Sequence, residues 1–130
     1  MTIELTMLAY AAGLTALLWI PYILARIARL GMVEALTYRR DDEVLSPWAE
    51  RAKRAHMNAL ECLVPFAAIV IVAHLAGVSN ANTVLATQVY FFARVAHVVL
   101  HIAGIPFIRT LAFAGGWLAT FALLYQVLMQ

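Results

Sequence analysis

Polar side chains recur at helical spacing in two otherwise apolar stretches of the sequence. The first set, in the stretch ERAKRAHMNALE, consists of Arg51, Arg54, Asn58 and Glu61. The second set, in the stretch YFFARVAHVVLH, consists of Tyr90, Arg94, His97 and His101. Residues three, four or seven positions apart lie on one face of an α-helix, so each set is predicted to form a polar stripe.

The charges in the two stripes favour binding of an anion. The two stripes and the nearby position 109 contain four arginines, at 51, 54, 94 and 109, but only one carboxylate, Glu61. A guanidinium binds a carboxylate through two parallel hydrogen bonds, so a pocket with this excess suits a ligand that carries carboxylates. The alternative is a buried Arg94–Glu61 ion pair that only holds two helices together, and the spacing alone leaves both interpretations open.

A metal site is the weaker interpretation of the histidines. His97 and His101 are four residues apart, which is a spacing that metal ligands adopt on a helix. Glu61 is the only carboxylate predicted within the membrane-embedded part of the chain, and no cysteine lies near the pair, so we expect no metal. Cys62 is the single cysteine, cannot form a disulfide within the chain, and is interpreted as a packing residue.

The elements that position these stripes are predicted to be membrane-spanning helices. Of the 130 residues, 65% are hydrophobic and 12% charged, against roughly half and a quarter in soluble domains. A helix needs about 20 apolar residues to cross the hydrocarbon core. Four stretches qualify and form one all-α domain over residues 1–130, with helices predicted at about 3–30, 47–77, 83–105 and 109–129.

Local signals refine these four helices. Pro21 predicts a kink in the first helix, because proline lacks the backbone donor that a helix interior needs. Ser46 and Pro47 are predicted to be the N-cap and first residue of the second helix. The pair Gly115–Gly116 in the fourth helix permits close approach of a neighbouring helix.

The distribution of basic residues predicts the orientation. Seven of the nine Lys and Arg residues lie at or between the facing ends of the first two helices, and Arg109 lies between the last two. The opposite face, with both termini and the VSNAN turn, has none. The positive-inside rule therefore places the basic connections in the cytoplasm and both termini outside. The run YRRDDEV at 38–44 is interpreted as a solvated loop near anionic headgroups.

The motifs resemble those of the MAPEG family, membrane-associated proteins in eicosanoid and glutathione metabolism. The stretch ERAKRAHMNALECLVP at 50–65 matches the family pattern E-R-x-x-R-A-x-x-N-x-x-E-x-x-x-P. The stretch YFFARVAHVVLH at 90–101 matches the family's third helix, and GIPFIRTLAF places Arg109 near the family's catalytic arginine. The resemblance departs at His101, where better-known members carry Tyr, and at Met57 and Phe113.

The resemblance implies a fold, partners and site residues. The expected fold is a membrane four-helix bundle assembled as a homotrimer, with glutathione as co-substrate between adjacent subunits near the cytoplasmic side. Arg109 is expected to hold the thiolate, and residues of the third helix are expected to come from the neighbouring subunit. The implied glutathione-binding residues are Arg26, Arg51, Arg54, Asn58, Glu61, Arg94, His97 and His101.

Three functions remain open from the sequence. The first is a glutathione-dependent transferase or peroxidase acting on lipophilic electrophiles, which fits the retained Arg54, Asn58, Glu61 and Arg94. The second is a non-enzymatic protein that binds and presents lipids, and the third is a structural oligomer held by interhelical polar contacts. Membrane lipids and a lipophilic small molecule are expected partners, and nucleic acid is not. The compact length and short loops are typical of a protein of a bacterial inner membrane.

Overall fold

A computed structural model describes residues 1–37 and 45–130, and the charged run at 38–44 lies outside the described residues. All regular structure within the described residues is helical, as the sequence predicted. In chain order the elements are α1 (Ile3–Leu17), α2 (Trp19–Leu30), α3 (Met32–Ala35), α4 (Pro47–Leu75), α5 (Ala81–Ala103) and α6 (Pro106–Leu128).

Four helical segments of the described chain are long and apolar enough to cross a membrane. They are Ile3–Leu30, which combines α1 and α2, and then Pro47–Leu75, Ala81–Ala103 and Pro106–Leu128. The shortest has 23 residues, which exceeds the roughly 20 residues needed to span the hydrocarbon. The chain is therefore an integral membrane protein, and the four predicted helices are confirmed with boundaries shifted by at most three residues.

The first membrane segment is interrupted where Pro21 requires it. Proline cannot donate to the carbonyl four residues earlier, and its ring crowds that carbonyl, which belongs to Leu17. Accordingly α1 ends at Leu17, and Leu18 forms a turn before α2 begins. The Leu18 amide lies 3.2 Å from the Leu14 carbonyl and 3.3 Å from the Thr15 carbonyl. The helix is thus interrupted about one turn ahead of the proline for which the kink was predicted.

The start of α4 is confirmed in position but not in its capping side chain. Ser46 occupies the N-cap and Pro47 the first turn, yet the Ser46 side chain makes no capping hydrogen bond. The Glu50 carboxylate instead accepts a hydrogen bond of 3.1 Å from the Leu45 amide. A carboxylate in the first turn also interacts favourably with the positive end of the helix dipole. Glu50 therefore fixes the chain where α4 begins.

A buried carboxylate joins the first turn of α1 to the turn before α5 and to the first turn of α5, at the same end of the bundle, which the sequence did not predict. Glu4 is only 5% exposed and accepts hydrogen bonds from Ser79 Oγ at 2.8 Å and Thr83 Oγ1 at 2.6 Å. Thr83 also belongs to a capping box with Asn80 at the start of α5. Glu61 is therefore not the only carboxylate set among the apolar helices.

The helix α5 packs against α1, α4 and α6. Phe66 of α4 stacks on Tyr90 of α5 with ring centroids 3.6 Å apart and planes inclined by 8°. At Gly116 of α6, an added Cβ would lie 3.5 Å from Arg94 Cδ and 3.8 Å from Tyr90. The predicted close approach at Gly115–Gly116 thus brings α6 directly over the polar stripe of α5.

Candidate functional site

A buried arginine lies at the centre of the candidate site. Arg94 is 3% exposed, and its Nη2 donates a hydrogen bond of 2.7 Å to Asn58 Oδ1 on α4. The same nitrogen lies 3.4 Å from His97 Nδ1, and Nη1 donates to Cys62 Sγ at 3.6 Å. Nε has no hydrogen-bond partner among the described residues. Neutral polar groups therefore surround a buried charge whose Nε–H is not used in a hydrogen bond.

The partner of Arg94 on α4 is Asn58 and not Glu61. The structure contradicts the alternative of a structural Arg94–Glu61 ion pair. The Arg94 guanidinium donates its hydrogen bonds to Asn58 and Cys62 instead. The Glu61 side chain is exposed at the bundle surface and borders a cavity. It is thus placed to interact with a molecule outside the chain's own helices.

Cationic and imidazole side chains of three helices surround a cavity of about 410 Å³, here called the polar pocket. Its lining residues are Arg54, Asn58, His97, His101, Arg109, Thr110 and Phe113. The rings of His97 and His101 meet edge to face at 5.3 Å, and His101 Nδ1 is buried without a hydrogen-bond partner among the described residues. Within residues 1–37 and 45–130, no third His, Cys, Asp or Glu joins this pair.

A second cavity of about 450 Å³, here called the apolar groove, runs between α4 and α6. Its apolar walls are Pro65, Ile69, Phe113, Trp117, Phe121 and Leu124. Asn58, Glu61, Cys62, Tyr90 and Arg94 lie at its polar end and floor. Asn58 and Phe113 line both cavities, so the polar pocket and the apolar groove adjoin at these residues.

Seven of the nine predicted site residues line the two adjoining cavities: Arg54, Asn58, Glu61, Arg94, His97, His101 and Arg109. The other two lie elsewhere. Arg51 Nε donates at 2.9 Å to the Ile102 carbonyl at the end of α5, and Arg26 Nε donates at 3.2 Å to the Ala35 carbonyl after α2. A free carbonyl at a helix C-terminus attracts a cation, which explains why Arg51 turns away from the pocket.

One chain brings the two polar stripes together by itself. Arg94 bonds to Asn58 of its own α4. This follows from topology, because a short turn at 76–80 makes α4 and α5 antiparallel neighbours. That α5 residues reach glutathione from a neighbouring subunit, as the resemblance implied, stays a prediction. Sequence reasoning missed Cys62 as a residue of the groove, although it is one helical turn beyond Asn58 and so continues the stripe.

The fold and the site together define a helical integral membrane protein with a cationic pocket and an adjoining apolar groove. The family model described as "MAPEG family" matches residues 5–129. The chain belongs to the MAPEG family, which confirms what its motifs predicted.

Three curated relatives are proteins named microsomal glutathione S-transferase 1. The Bos taurus protein is 34% identical over 91 residues, which are 69% of this chain and 56% of the relative. The Homo sapiens protein is 32% identical over 91 residues, with the same coverage. The Sus scrofa protein is 34% identical over 95 residues, 72% of this chain and 59% of the relative. The chain thus spans little more than half the length of these relatives. No solved structure matches it.

Proposed function

We propose that this protein is a membrane-embedded glutathione-dependent transferase or peroxidase that acts on lipophilic electrophiles. The observation that carries the proposal is the meeting of a cationic pocket and an apolar groove at Asn58 and Phe113. A water-soluble thiol in the first cavity and an apolar substrate in the second would have their reacting atoms side by side. The relatives named microsomal glutathione S-transferase 1 support the same reaction class.

The charges of the site suit glutathione, a tripeptide with two carboxylates, one ammonium and one thiol. Arg54 and Arg109 in the polar pocket would bind the carboxylates or the thiolate, since guanidinium hydrogen bonds to anions are among the stronger ones in proteins. His97 and His101 would contribute further hydrogen bonds. The exposed Glu61 at the polar end of the groove would bind the ammonium.

The proposed chemistry needs only a stabilised thiolate and an adjacent electrophile. A nearby cation favours the thiolate, which is the nucleophilic form, and Arg109 is assigned this role. The sulfur attacks an electrophilic carbon, the leaving group departs with the bonding electron pair, and the thiol proton goes to solvent. With a lipid hydroperoxide, the sulfur attacks the terminal oxygen and an alcohol departs, and a second glutathione then yields the disulfide and water.

The assembly and placement are part of the proposal. We infer a homotrimer in which each subunit is one domain over residues 1–130. The basic connections face the cytoplasm of a bacterial inner membrane and both termini lie outside, so glutathione enters the polar pocket from the cytoplasm. Neither Arg26 nor Arg51 lines the polar pocket or the apolar groove of one chain. These two arginines would therefore contact glutathione only if it binds between subunits of the trimer.

The test uses purified full-length protein in detergent. Glutathione should raise its thermal midpoint, and an aryl halide should be conjugated to glutathione. Arg109→Ala should abolish conjugation, whereas Lys53→Ala, which removes a cation outside the polar pocket, should leave it intact. The absence of both stabilisation and conjugation would overturn the proposal.

A second candidate function is lipid binding without turnover, which the apolar walls of the groove favour. Under this alternative, a long-chain fatty acid stabilises the protein in the thermal assay while glutathione has no effect. Groove substitutions such as Phe121→Ala would then weaken lipid stabilisation, and Arg109→Ala would change nothing.

A further inference from the structure

Three large apolar side chains are exposed on the short helix α3 and on the residue that follows it. Met32 is 58% exposed, Val33 73% and Leu36 68%. They continue from α2, which exposes Leu24 on a segment that is able to cross a membrane. Apolar side chains that are exposed together mark a surface that contacts a membrane or a partner. The position of α3 relative to the bilayer decides between these two.

The chain turns back along α2 at Gly31, before α3 begins. The backbone of Gly31 has a φ of +85°, which residues with a side chain rarely adopt. Arg26 Nε donates a hydrogen bond of 3.2 Å to the Ala35 carbonyl, and α3 packs against α2. A helix that continued without this turn would place Ala35 about 13 Å beyond Arg26 along its axis. The short helix α3 therefore lies beside the end of α2 and does not extend beyond it.

The depth of α3 follows from the contact between α2 and α4. Because α4 ends at Leu75, the roughly 20 residues that cross the hydrocarbon core begin near His56. Tyr22 Oη lies 2.8 Å from His56 Nδ1, which places Tyr22 at the same boundary. Arg26 is one helical turn, about 6 Å, further out, and the headgroup zone extends roughly 5–8 Å beyond the hydrocarbon core. The Ala35 carbonyl that Arg26 contacts is therefore at the level of the headgroups.

The same end of the bundle carries most of the basic residues of the chain. Residues 26–54 contain seven Lys or Arg against five Asp or Glu, which leaves a net charge of +2. The opposite end, with both termini, has no Lys or Arg. Basic residues close to a membrane surface are attracted to anionic phospholipids. The charge around α3 is thus complementary to a headgroup zone that contains anionic lipids.

We propose that α3 and Leu36 form an interfacial anchor, which inserts Met32, Val33 and Leu36 among the headgroups of anionic phospholipids. The anchor lies in the leaflet where α2 ends and α4 begins. The bilayer is its partner, since α3 adjoins the membrane segment Ile3–Leu30 and lies at headgroup depth. Interfacial segments bind through buried apolar area together with attraction to anionic lipids, and this segment has both. The anchor is independent of glutathione and of the proposed reaction.

The first experiment measures the surroundings of Val33 in full-length protein. The protein is reconstituted into nanodiscs of equal parts phosphatidylcholine and phosphatidylglycerol. The variant Cys62→Ser/Val33→Cys carries a nitroxide at position 33, and the matched variant Cys62→Ser/Gln130→Cys carries it at the exposed last residue. Power saturation then measures collisions of the nitroxide with oxygen, which concentrates in lipid, and with nickel-EDDA, which stays in water.

The label at position 33 should collide more often with oxygen than the label at position 130 does. Its collisions with nickel-EDDA should be at least about threefold fewer, because an interfacial side chain is buried at the boundary between headgroups and acyl chains. Equal accessibility to nickel-EDDA at both positions would place α3 in water and overturn the anchor. Few collisions with both reagents at position 33 would show that a protein surface covers α3, which would overturn it as well.

The second experiment tests the preference for anionic lipid through thermal unfolding in nanodiscs. Phosphatidylglycerol should raise the wild-type midpoint above that in phosphatidylcholine alone. The triple variant Met32→Ser/Val33→Ser/Leu36→Ser should lose most of this gain. The matched variant Leu128→Ser/Met129→Ser removes equally exposed apolar side chains at the end without Lys or Arg, and it should keep the gain.

An equal gain from phosphatidylglycerol in the wild type and the triple variant would overturn the anchor. Neither experiment includes glutathione, so their outcome is separate from that of the conjugation assay. A protein with the anchor and without conjugation would refute the proposed function alone.

Discussion

The Arg94 guanidinium donates a 2.7 Å hydrogen bond to the Asn58 side-chain oxygen across the interface of α5 and α4. Asn58 borders both the polar pocket and the apolar groove, so this bond lies where the two cavities adjoin. One contact therefore serves the packing of two membrane helices and the shape of the candidate site.

Asn58→Ala should destabilise the protein and disturb the site together. It leaves a buried guanidinium nitrogen without its strongest acceptor, which costs about 1–3 kcal/mol for a buried polar group. Asn58→Asp keeps an acceptor and should restore most of the stability. Thermal unfolding in detergent measures both effects. A wild-type midpoint for Asn58→Ala would show that the bond contributes nothing to the packing of α4 on α5.

Glu4→Ala should lower stability without changing the chemistry of the site. It removes the acceptor of the Ser79 and Thr83 hydroxyls, and hydrogen bonds to a charged group contribute about 1.5–3 kcal/mol. Glu4 is in the first turn of α1, at the end of the bundle opposite to the polar pocket. The thermal midpoint should therefore fall while the folded fraction keeps its activity per molecule.

The matched variant for this test is Glu4→Gln, which keeps an acceptor but loses the charge and should lie between the wild type and Glu4→Ala. A loss of glutathione turnover in folded Glu4→Ala protein would contradict the expectation that Glu4, at one end of the bundle, does not influence the polar pocket at the other end. Turnover and midpoint are measured on the same preparation.

The sequence predicted the parts of the site that depend on helical periodicity. Arg54, Asn58 and Glu61 share one face of α4, and Arg94 and His97 share one face of α5, because the helical repeat fixes these relations before any packing occurs. The antiparallel arrangement of the two helices followed from the short turn between them, so the depth at which the stripes meet was also predictable.

Contacts with distant backbone could not be predicted in the same way. Arg51 continues the stripe of α4, yet it bonds to the Ile102 carbonyl. Glu4 is 79 residues from Thr83 in the chain. Periodicity within one helix carries no information about either partner.

The orientation is a separate prediction that follows from the basic residues. A reporter that is active only outside the cytoplasm, fused after Gln130, should be active, because the end of the bundle with both termini carries no Lys or Arg. The same reporter inserted after Ile105, in the connection before Arg109, should be silent. Activity in the opposite pattern would place the polar pocket at the outer face and exclude cytoplasmic glutathione as its ligand.

Arg109→Ala should reduce turnover far more than it reduces glutathione binding. Arg109 borders the polar pocket opposite His97 and His101, and loss of one group that stabilises developing charge lowers kcat by about a hundredfold or more. Arg109→Lys keeps the charge but not the bidentate hydrogen bonding, so it should recover only part of the rate.

Stopped-flow absorbance of the thiolate in the glutathione complex separates thiolate formation from the subsequent transfer. The thiolate signal should disappear in Arg109→Ala while calorimetry still detects glutathione. An unchanged thiolate signal would remove Arg109 from this role.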